Sequence, residues 1–201
     1  WYLAVLPPDG AVDEGYAYWW NGACRAVEAL DVLAFATGGA LDDMFDAAVL
    51  PSIAATVAFP HRMHLGGDWY LNVADGQARP GASMPWVALH RAARRVGDDD
   101  AARHAAAHRH IAPVAREGLG RLILAHTDAA WLDAPDSSAP LPATTWLPSV
   151  ELFLARTAAG SAAGLTVAVK GGHNGEHHNH NDVGSVVVAS DGVPVIVDAG
   201  R

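Results

Sequence analysis

The chain has 201 residues, of which 51% are hydrophobic and 17% charged, so it can bury a core and lacks the composition of a disordered protein. The formal net charge of −9 argues against nucleic acid as a partner, and the absence of any apolar run of about 18 residues argues against a membrane span. The single cysteine, Cys24, excludes an internal disulfide. The start at Trp1 has neither an initiator Met nor a basic n-region, so we expect the chain to be part of a longer protein, and no cellular compartment is indicated.

Residues 1–132 predict an α-helical unit. Between Tyr16 and about Thr37, apolar residues recur at intervals of three and four, and Gly38-Gly39 predicts the end of that helix. Pro51 is expected to kink or divide the next helix, and Pro113 to bend a later one. The further predicted helices are 41–58, 84–96, 99–118 and 119–126.

The composition changes after the helical unit. Residues 133–148 contain four prolines and the pair Ser137-Ser138, which we interpret as a linker. Residues 149–201 then predict strands at 150–156 and 165–170 and a hairpin at the end. Because helices precede strands without β-α-β alternation, the predicted fold class is α+β, with separate helical and antiparallel β domains.

An imidazole-rich segment precedes the predicted hairpin. Four of the eleven histidines lie between His173 and His180, and Asp191-Gly192 is a strong turn signal between two β-branched runs. In an extended chain His178 and His180 point the same way. Together with Asp198 they offer nitrogen and oxygen ligands that suit Zn²⁺. The alternative is a polar loop of solvated histidines.

The run Lys170–Ser185, with Asp191-Gly192 and Asp198 after it, resembles the heparinase II/III-like family of polysaccharide lyases. The resemblance implies an (α/α) toroid followed by an antiparallel β-sandwich, with only part of each in this chain. It implies that His180 and Asp198 are ligands of a structural zinc whose third ligand lies outside the chain. His178 would then face the substrate as a catalytic or charge-neutralising group.

A second element, Asp9-Gly10 followed by Glu14-Gly15 and Tyr18, is similar to the family's Asp-Gly…Glu-Gly-x-x-Tyr motif. The resemblance assigns Tyr18 the role of Brønsted acid, and in many members also of base. A phenol can exchange a proton with the substrate when neighbouring cations lower its pKa. Two alternatives stay open: an aromatic stripe packed in a helix core, or Tyr16 as the acid if the alignment is shifted by two residues.

Substrate contacts are predicted in two places. The stretch 59–70 carries Trp69, which can stack on a sugar ring, and His64, which can meet a carboxylate or sulfate. An ordinary interhelical loop is an equally weighted interpretation of that stretch. Glu176 in the imidazole-rich segment is the third candidate. His104 and His108 have i, i+4 spacing, but no carboxylate accompanies them, so we expect them on a solvated helix face.

These observations favour a lyase that cleaves a uronic-acid-containing glycan by β-elimination, with an acidic glycan as partner and a homodimer left open. Two other classes remain in play. One is a non-catalytic glycan-binding protein. The other is a cupin-type metal-binding β-domain, against which the long helical first half argues.

Overall fold

The described helices lie in the first two thirds of the chain, together with a short two-stranded ribbon, and the other five strands lie in the last third. The computed structural model describes residues 2–46, 49–79, 84–110, 118–175 and 180–198. The helices are α1 (Tyr2–Val5), α2 (Tyr16–Trp19), α3 (Ala23–Ala36), α4 (Pro51–Val57), α5 (Phe59–Arg62), α6 (Trp86–Val96), α7 (Asp99–Ala107), α8 (Leu119–Thr127) and α9 (Ala129–Leu132), with a 3₁₀ turn at Asp42–Phe45. The strands are β1 (His64–Gly66), β2 (Trp69–Tyr70), β3 (Thr144–Leu147), β4 (Leu152–Arg156), β5 (Leu165–Lys170), β6 (Val186–Ser190) and β7 (Val193–Ile196). The chain is therefore a mixed α and β protein, as the sequence predicts at that level.

Several helix boundaries differ from the predicted ones. The helix expected from Tyr16 to Thr37 is divided into α2 and α3, because the chain turns at Asn21-Gly22. The helix expected over 41–58 is a 3₁₀ turn followed by α4, which starts at Pro51, where the missing N–H of proline costs nothing. α7 ends at Ala107, and Pro113 lies outside the described residues.

Strands β3 to β7 form one antiparallel sheet in chain order, each paired with the next. The predicted hairpin is confirmed, with Asp191-Gly192 between β6 and β7. β3 occupies the end of the stretch interpreted as a linker, and β1 pairs with β2 in a separate two-stranded ribbon. Within the described ranges, no helix has the length and apolarity that a membrane span requires.

The two faces of the five-stranded sheet differ in exposure. Alternate residues such as Leu147, Leu154 and Ala168 are buried and belong to one apolar core that also includes helical residues such as Trp19 and Leu89. This alternation follows from the two-residue period of a strand. One continuous core therefore joins the helical unit to the sheet.

Arg156 fastens the sheet to the β1–β2 ribbon. Arg156 is 8% exposed, and its guanidinium donates to the carbonyl oxygens of His64 at 2.8 Å and Leu65 at 3.3 Å. It also donates to the Pro142 carbonyl at 2.7 Å. A single buried side chain thus satisfies carbonyl groups from the helical unit and from the approach to β3.

We expect Arg156→Met to lower the free energy of unfolding by roughly 2 to 4 kcal/mol, because three carbonyl groups lose their charged donor while the apolar stem is kept. Urea unfolding followed by tryptophan fluorescence measures the change. The matched control is Arg103→Met, which removes an exposed ion pair with Asp100 and should change stability by less than about 1 kcal/mol. Equal stability of the two variants would contradict the role given to Arg156.

Candidate functional site

The position of Tyr18 is set by the backbone on either side of α2. Gly15 precedes α2 with φ of 83°, and a Cβ there would lie 2.6 Å from the carbonyl oxygen of Val73, so no other residue fits without a shift. Trp19, which is fully buried, donates from its indole N–H to the Thr56 carbonyl at 2.7 Å. These contacts fix the inner side of α2, and Tyr18 on the same turn is partly exposed.

Tyr16, the alternative acid, lies on the inner side of α2. Its ring is fully buried and stacks on Tyr70 with 3.9 Å between centroids. Burial raises the pKa of Tyr16 well above its usual value, although contacts with Tyr70 and Trp20 oppose the shift. A phenol with a raised pKa and no solvent access is unsuited to exchange protons with a substrate. Between the two tyrosines, the geometry favours Tyr18.

Residues 72–76, which we call the seam loop, contact both the start of α2 and the end of the chain. Backbone atoms of Val73 and Gly76 lie against Gly15. On the other side, Asn72 donates from its amide to the Asp198 carbonyl at 3.1 Å, and the Asp75 carboxylate lies 3.2 Å from His180 Nε2. The seam loop therefore lies between the element that carries Tyr18 and the two predicted zinc ligands.

The predicted zinc ligands each have a hydrogen-bonding partner. His180 contacts Asp75, and the Asp198 carboxylate accepts from the Ser185 hydroxyl at 2.5 Å. The described part of the chain contains no group of three or more His, Cys, Asp or Glu residues arranged to hold a metal ion. The other two predicted residues of the segment, His178 and Glu176, lie outside the described residues.

The two substrate-binding candidates from the stretch 59–70 have different surroundings. Trp69 is half-buried in β2, and the Arg79 guanidinium lies over its ring at 5.0 Å from the centroid. Arg79 also donates to the Asp68 carboxylate at 3.2 Å, so an aromatic face, a cation and an anion meet near the surface. His64 is 3% exposed and donates from Nε2 to the Gly67 carbonyl at 2.8 Å. This burial does not favour direct contact between His64 and a sugar.

His64 belongs to a buried histidine cluster, which we define as His61, His64, His104 and His108. The ring centroids of His64 and His104 are 5.0 Å apart, and those of His104 and His108 are 4.9 Å apart. The cluster joins α5, β1, α7 and the turn after α7. The expectation that His104 and His108 lie on a solvated helix face is wrong, since they are 0% and 8% exposed.

Sequence reasoning missed this burial although a signal was present. Ala101, His104, Ala105 and His108 follow the i, i+3, i+4, i+7 spacing of a core-facing helix stripe, and all four are buried. Reading the two histidines together with their alanine neighbours, instead of as an isolated pair, would have placed them inside.

The Tyr70 hydroxyl links two members of the cluster and fixes their tautomers. His108 Nδ1 can only donate to the His104 carbonyl, at 2.8 Å, so in the neutral ring its Nε2 is an acceptor. Tyr70 therefore donates to His108 Nε2 at 3.3 Å and accepts from His104 Nε2 at 3.0 Å. This arrangement pairs both ring nitrogens of a neutral His108 and leaves no acceptor for an additional proton on it. Nδ1 of His104 is buried without a hydrogen-bonding partner among the described residues.

Burial is the main reason that the cluster is neutral. It lowers the pKa of His61 and of His64 to about 4 in each case, and it lowers the pKa of His104 well below its usual value. Neighbouring histidines lower the pKa values of His64 and His104 further. Charged groups among the described residues that influence these pKa values are Arg62, Asp68, Asp98, Asp100, Arg103 and Arg156.

Comparison of the sequence with protein-family models finds no match, and comparison with curated proteins finds none either.

The cluster makes a prediction about acid stability. An unfolded histidine titrates near pH 6.5, whereas His64 in the folded chain titrates at about 4, so the unfolded state binds more protons between these values. Stability should therefore fall as the pH falls from about 6.5 to 4. For His64 alone we expect a loss of about 2.5 kcal/mol between pH 7.5 and 4.5.

Urea unfolding of the parent chain and of His64→Gln at the two pH values isolates this contribution from titrating carboxylates. The variant keeps a donor for the Gly67 carbonyl but cannot be protonated. Its free energy of unfolding should therefore fall by about 2.5 kcal/mol less than that of the parent between about pH 7.5 and 4.5. His126→Gln, at an exposed position, serves as control and should behave as the parent does. The same acid sensitivity in all three proteins would rule out the cluster as the cause.

Proposed function

We propose that this chain is part of a heparinase II/III-like lyase that cleaves a uronic-acid-containing glycan by β-elimination. The observation that carries the proposal is that the seam loop contacts both Gly15, at the start of the Tyr18 helix, and His180, at the end of the imidazole-rich segment. Two elements that resemble parts of the family's active site, more than 160 residues apart in sequence, thus meet at one loop. Tyr18 is partly exposed, as a residue that exchanges a proton with a substrate must be.

The proposed β-elimination changes bonds at C5, C4 and O4 of the substrate. The C5–H bond of the uronic acid breaks, its electron pair forms the C4–C5 double bond, and the C4–O4 bond breaks as O4 takes a proton. Tyr18 supplies the proton to O4, and in the version with a single acid–base residue its phenolate first accepts the proton from C5. His178 neutralises the carboxylate or shares the proton abstraction, since imidazole titrates near neutrality.

Zn²⁺ fits the donor types of the two residues that contact the seam loop, His180 through its imidazole and Asp198 through its main-chain carbonyl, since imidazole nitrogen and the Asp198 carboxylate are both zinc donors. The hydrogen bond from Ser185 to Asp198 is the kind of outer contact that orients a carboxylate ligand. The ion would stabilise the β-segment beneath the candidate site. Two ligands do not complete a structural zinc site, so the proposal assigns the third ligand to a residue outside this chain.

The exposed side of the five-stranded sheet supports the finer fold assignment, an antiparallel β-sandwich. Trp146, Phe153, Val169 and Val186 are cross-strand neighbours in one row, and all four are exposed. Soluble proteins rarely leave so continuous an apolar surface in water, and a second sheet layered on it would bury the row. On the helical unit, Phe35 of α3 is 88% exposed, which suits packing against further helices of a toroid.

Tyr18→Phe should lower kcat by about 100-fold or more, because the proton donor is removed while the ring is kept. The assay follows the ultraviolet absorbance of the unsaturated product with alginate, heparan, chondroitin and hyaluronan as substrates of the full-length protein. Calorimetric titration should show that the variant still binds the glycan.

Tyr16→Phe is the matched control for this experiment. Its hydroxyl is buried without a hydrogen-bonding partner among the described residues, so its removal should leave kcat unchanged. Loss of activity in Tyr16→Phe alone would shift the assignment to Tyr16. Glycan binding without product in the parent protein would show a binding protein instead. The proposal would be rejected if the parent protein neither bound nor cleaved any of the four glycans.

His180→Ala and Asp198→Ala should each lower the zinc content of the full-length protein by about tenfold or more after dialysis against a fixed free zinc concentration, because a ligand is lost. Elemental analysis by mass spectrometry measures the ratio of zinc to protein. The control is His173→Ala, in the same segment, whose Nδ1 accepts from the Gly175 N–H within its own turn. Equal zinc content in all three variants would refute the ligand assignment.

A further inference from the structure

We propose that Asp182 is a positioning residue that holds His180, at the end of the imidazole-rich segment, against the seam loop. Its carboxylate accepts from the backbone N–H of Ala74 at 2.9 Å, a bond between residues 108 positions apart. The contacts that carry this inference are independent of any activity, and only its importance for catalysis rests on the proposed function.

The second contact of Asp182 is with a buried cation. Lys170 Nζ lies 3.9 Å from Asp182 Oδ1, and the two side chains are 2% and 6% exposed. Lys170 also donates to the Gly171 carbonyl at 3.2 Å, where the imidazole-rich segment begins. Asp182 therefore connects the strand that precedes the segment with the seam loop on the other unit.

Backbone bonds close the segment at the same place. The Lys170 N–H donates to the Ser185 carbonyl at 3.0 Å, and the Gly184 N–H donates to the Lys170 carbonyl at 2.8 Å. The Ser185 N–H donates to the Asp182 carbonyl at 3.0 Å, which forms a turn immediately after the segment. Both ends of the segment are thus fixed beside Lys170. From there the Asp182 side chain reaches across the seam, by which we mean the contact between the helical unit and the sheet.

Across the seam, the bond controls an unusual backbone position. Ala74 has φ of 55°, in the left-handed region that residues with a Cβ rarely adopt. Asp75 follows it and contacts His180, which lies two residues before Asp182. These contacts form a closed ring. It runs along the chain from Ala74 to Asp75, across the contact to His180, along the chain to Asp182 and through the hydrogen bond back to Ala74. Fixing Ala74 fixes the direction from which Asp75 meets His180.

A positioning role also explains why a charged pair is buried here. The desolvation of two buried charges offsets most of their attraction, so such a pair adds little stability compared with apolar residues of the same size. What the pair adds is direction, because a carboxylate held by Lys170 on one side presents its other oxygen to the Ala74 N–H. An apolar residue at position 182 would fill the space without orienting the seam loop.

The experiment uses the 201-residue chain and two nuclear magnetic resonance readouts, hydrogen exchange of the Ala74 amide and the imidazole shifts of His180. In Asp182→Ala the Ala74 amide should exchange at least tenfold faster, and the His180 shifts should move because its contact with Asp75 is no longer oriented. Asp182→Asn keeps an acceptor oxygen, so it should restore most of the protection of Ala74.

The matched control is Asp9→Ala. Asp9 also joins the two units by accepting a backbone N–H, that of Ser149 at 2.8 Å, but at another point of the seam. It should leave Ala74 and His180 unchanged. Unaltered His180 shifts in Asp182→Ala, or the same changes in Asp9→Ala, would overturn the proposal.

If Asp182→Ala does not fold, Asp182→Asn decides by itself. The neutral acceptor binds less strongly, so the Ala74 amide should exchange about threefold faster or more, and an unchanged rate would overturn the proposal. Neither readout needs a glycan, so a failure of the proposed lyase activity would leave the result for Asp182 unaffected.

Discussion

Hydrogen bonds from side chains of one unit to the backbone of the other determine how the candidate residues are placed. Arg156 reaches the carbonyl groups of β1, and Asp9 reaches the N–H of Ser149. Asn72 reaches the Asp198 carbonyl in the same manner. Each such bond fixes a specific main-chain atom against a specific side chain, and the carbonyl groups of β1 are buried, where a backbone group must be paired. The seam is therefore held by directional contacts in addition to the shared apolar core.

Two groups of polar side chains lie where the helical unit meets the sheet. In the first, the Asp75 carboxylate lies 3.2 Å from His180 Nε2, and the two side chains are 4% and 20% exposed. The second group is the histidine cluster, which is neutral because burial penalises charge, and in which the Tyr70 hydroxyl pairs with Nε2 of His104 and of His108. The cluster is thus a polar part of the core that depends on neutrality.

Local patterns in the sequence predicted what depends on nearest neighbours. The Asp191-Gly192 hairpin and the helix at 86–96 are present because turn chemistry and apolar period act over a few residues. The same reasoning merged α2 with α3, since the apolar period continues through Asn21-Gly22 and outweighed a turn signal that was visible. The prediction of one helix over α2 and α3 was wrong because two local rules, apolar period and turn chemistry, conflicted there.

The candidate site was predictable only in its parts. Motifs predict Tyr18 and His180 as site residues, but the seam loop that contacts their elements carries no motif of its own. Its partner residues, such as Asp182 for Ala74, are more than 100 positions away and are chosen by the tertiary packing. The burial of His64 similarly depends on α7, which supplies His104. A sequence lists such donors and acceptors without indicating which of them meet.

The shortness of α2 gives the choice between Tyr16 and Tyr18 a geometric basis. Residues two apart on a helix point in directions about 160° apart, so on this turn Tyr16 and Tyr18 lie on nearly opposite sides. Tyr16 is held inside by its stack on Tyr70, which in turn bonds to the histidine cluster. The orientation of α2, and with it the exposure of Tyr18, is consequently tied to the neutral cluster beneath it. The packing of Tyr16 in the aromatic core therefore determines which side of this four-residue turn carries Tyr18.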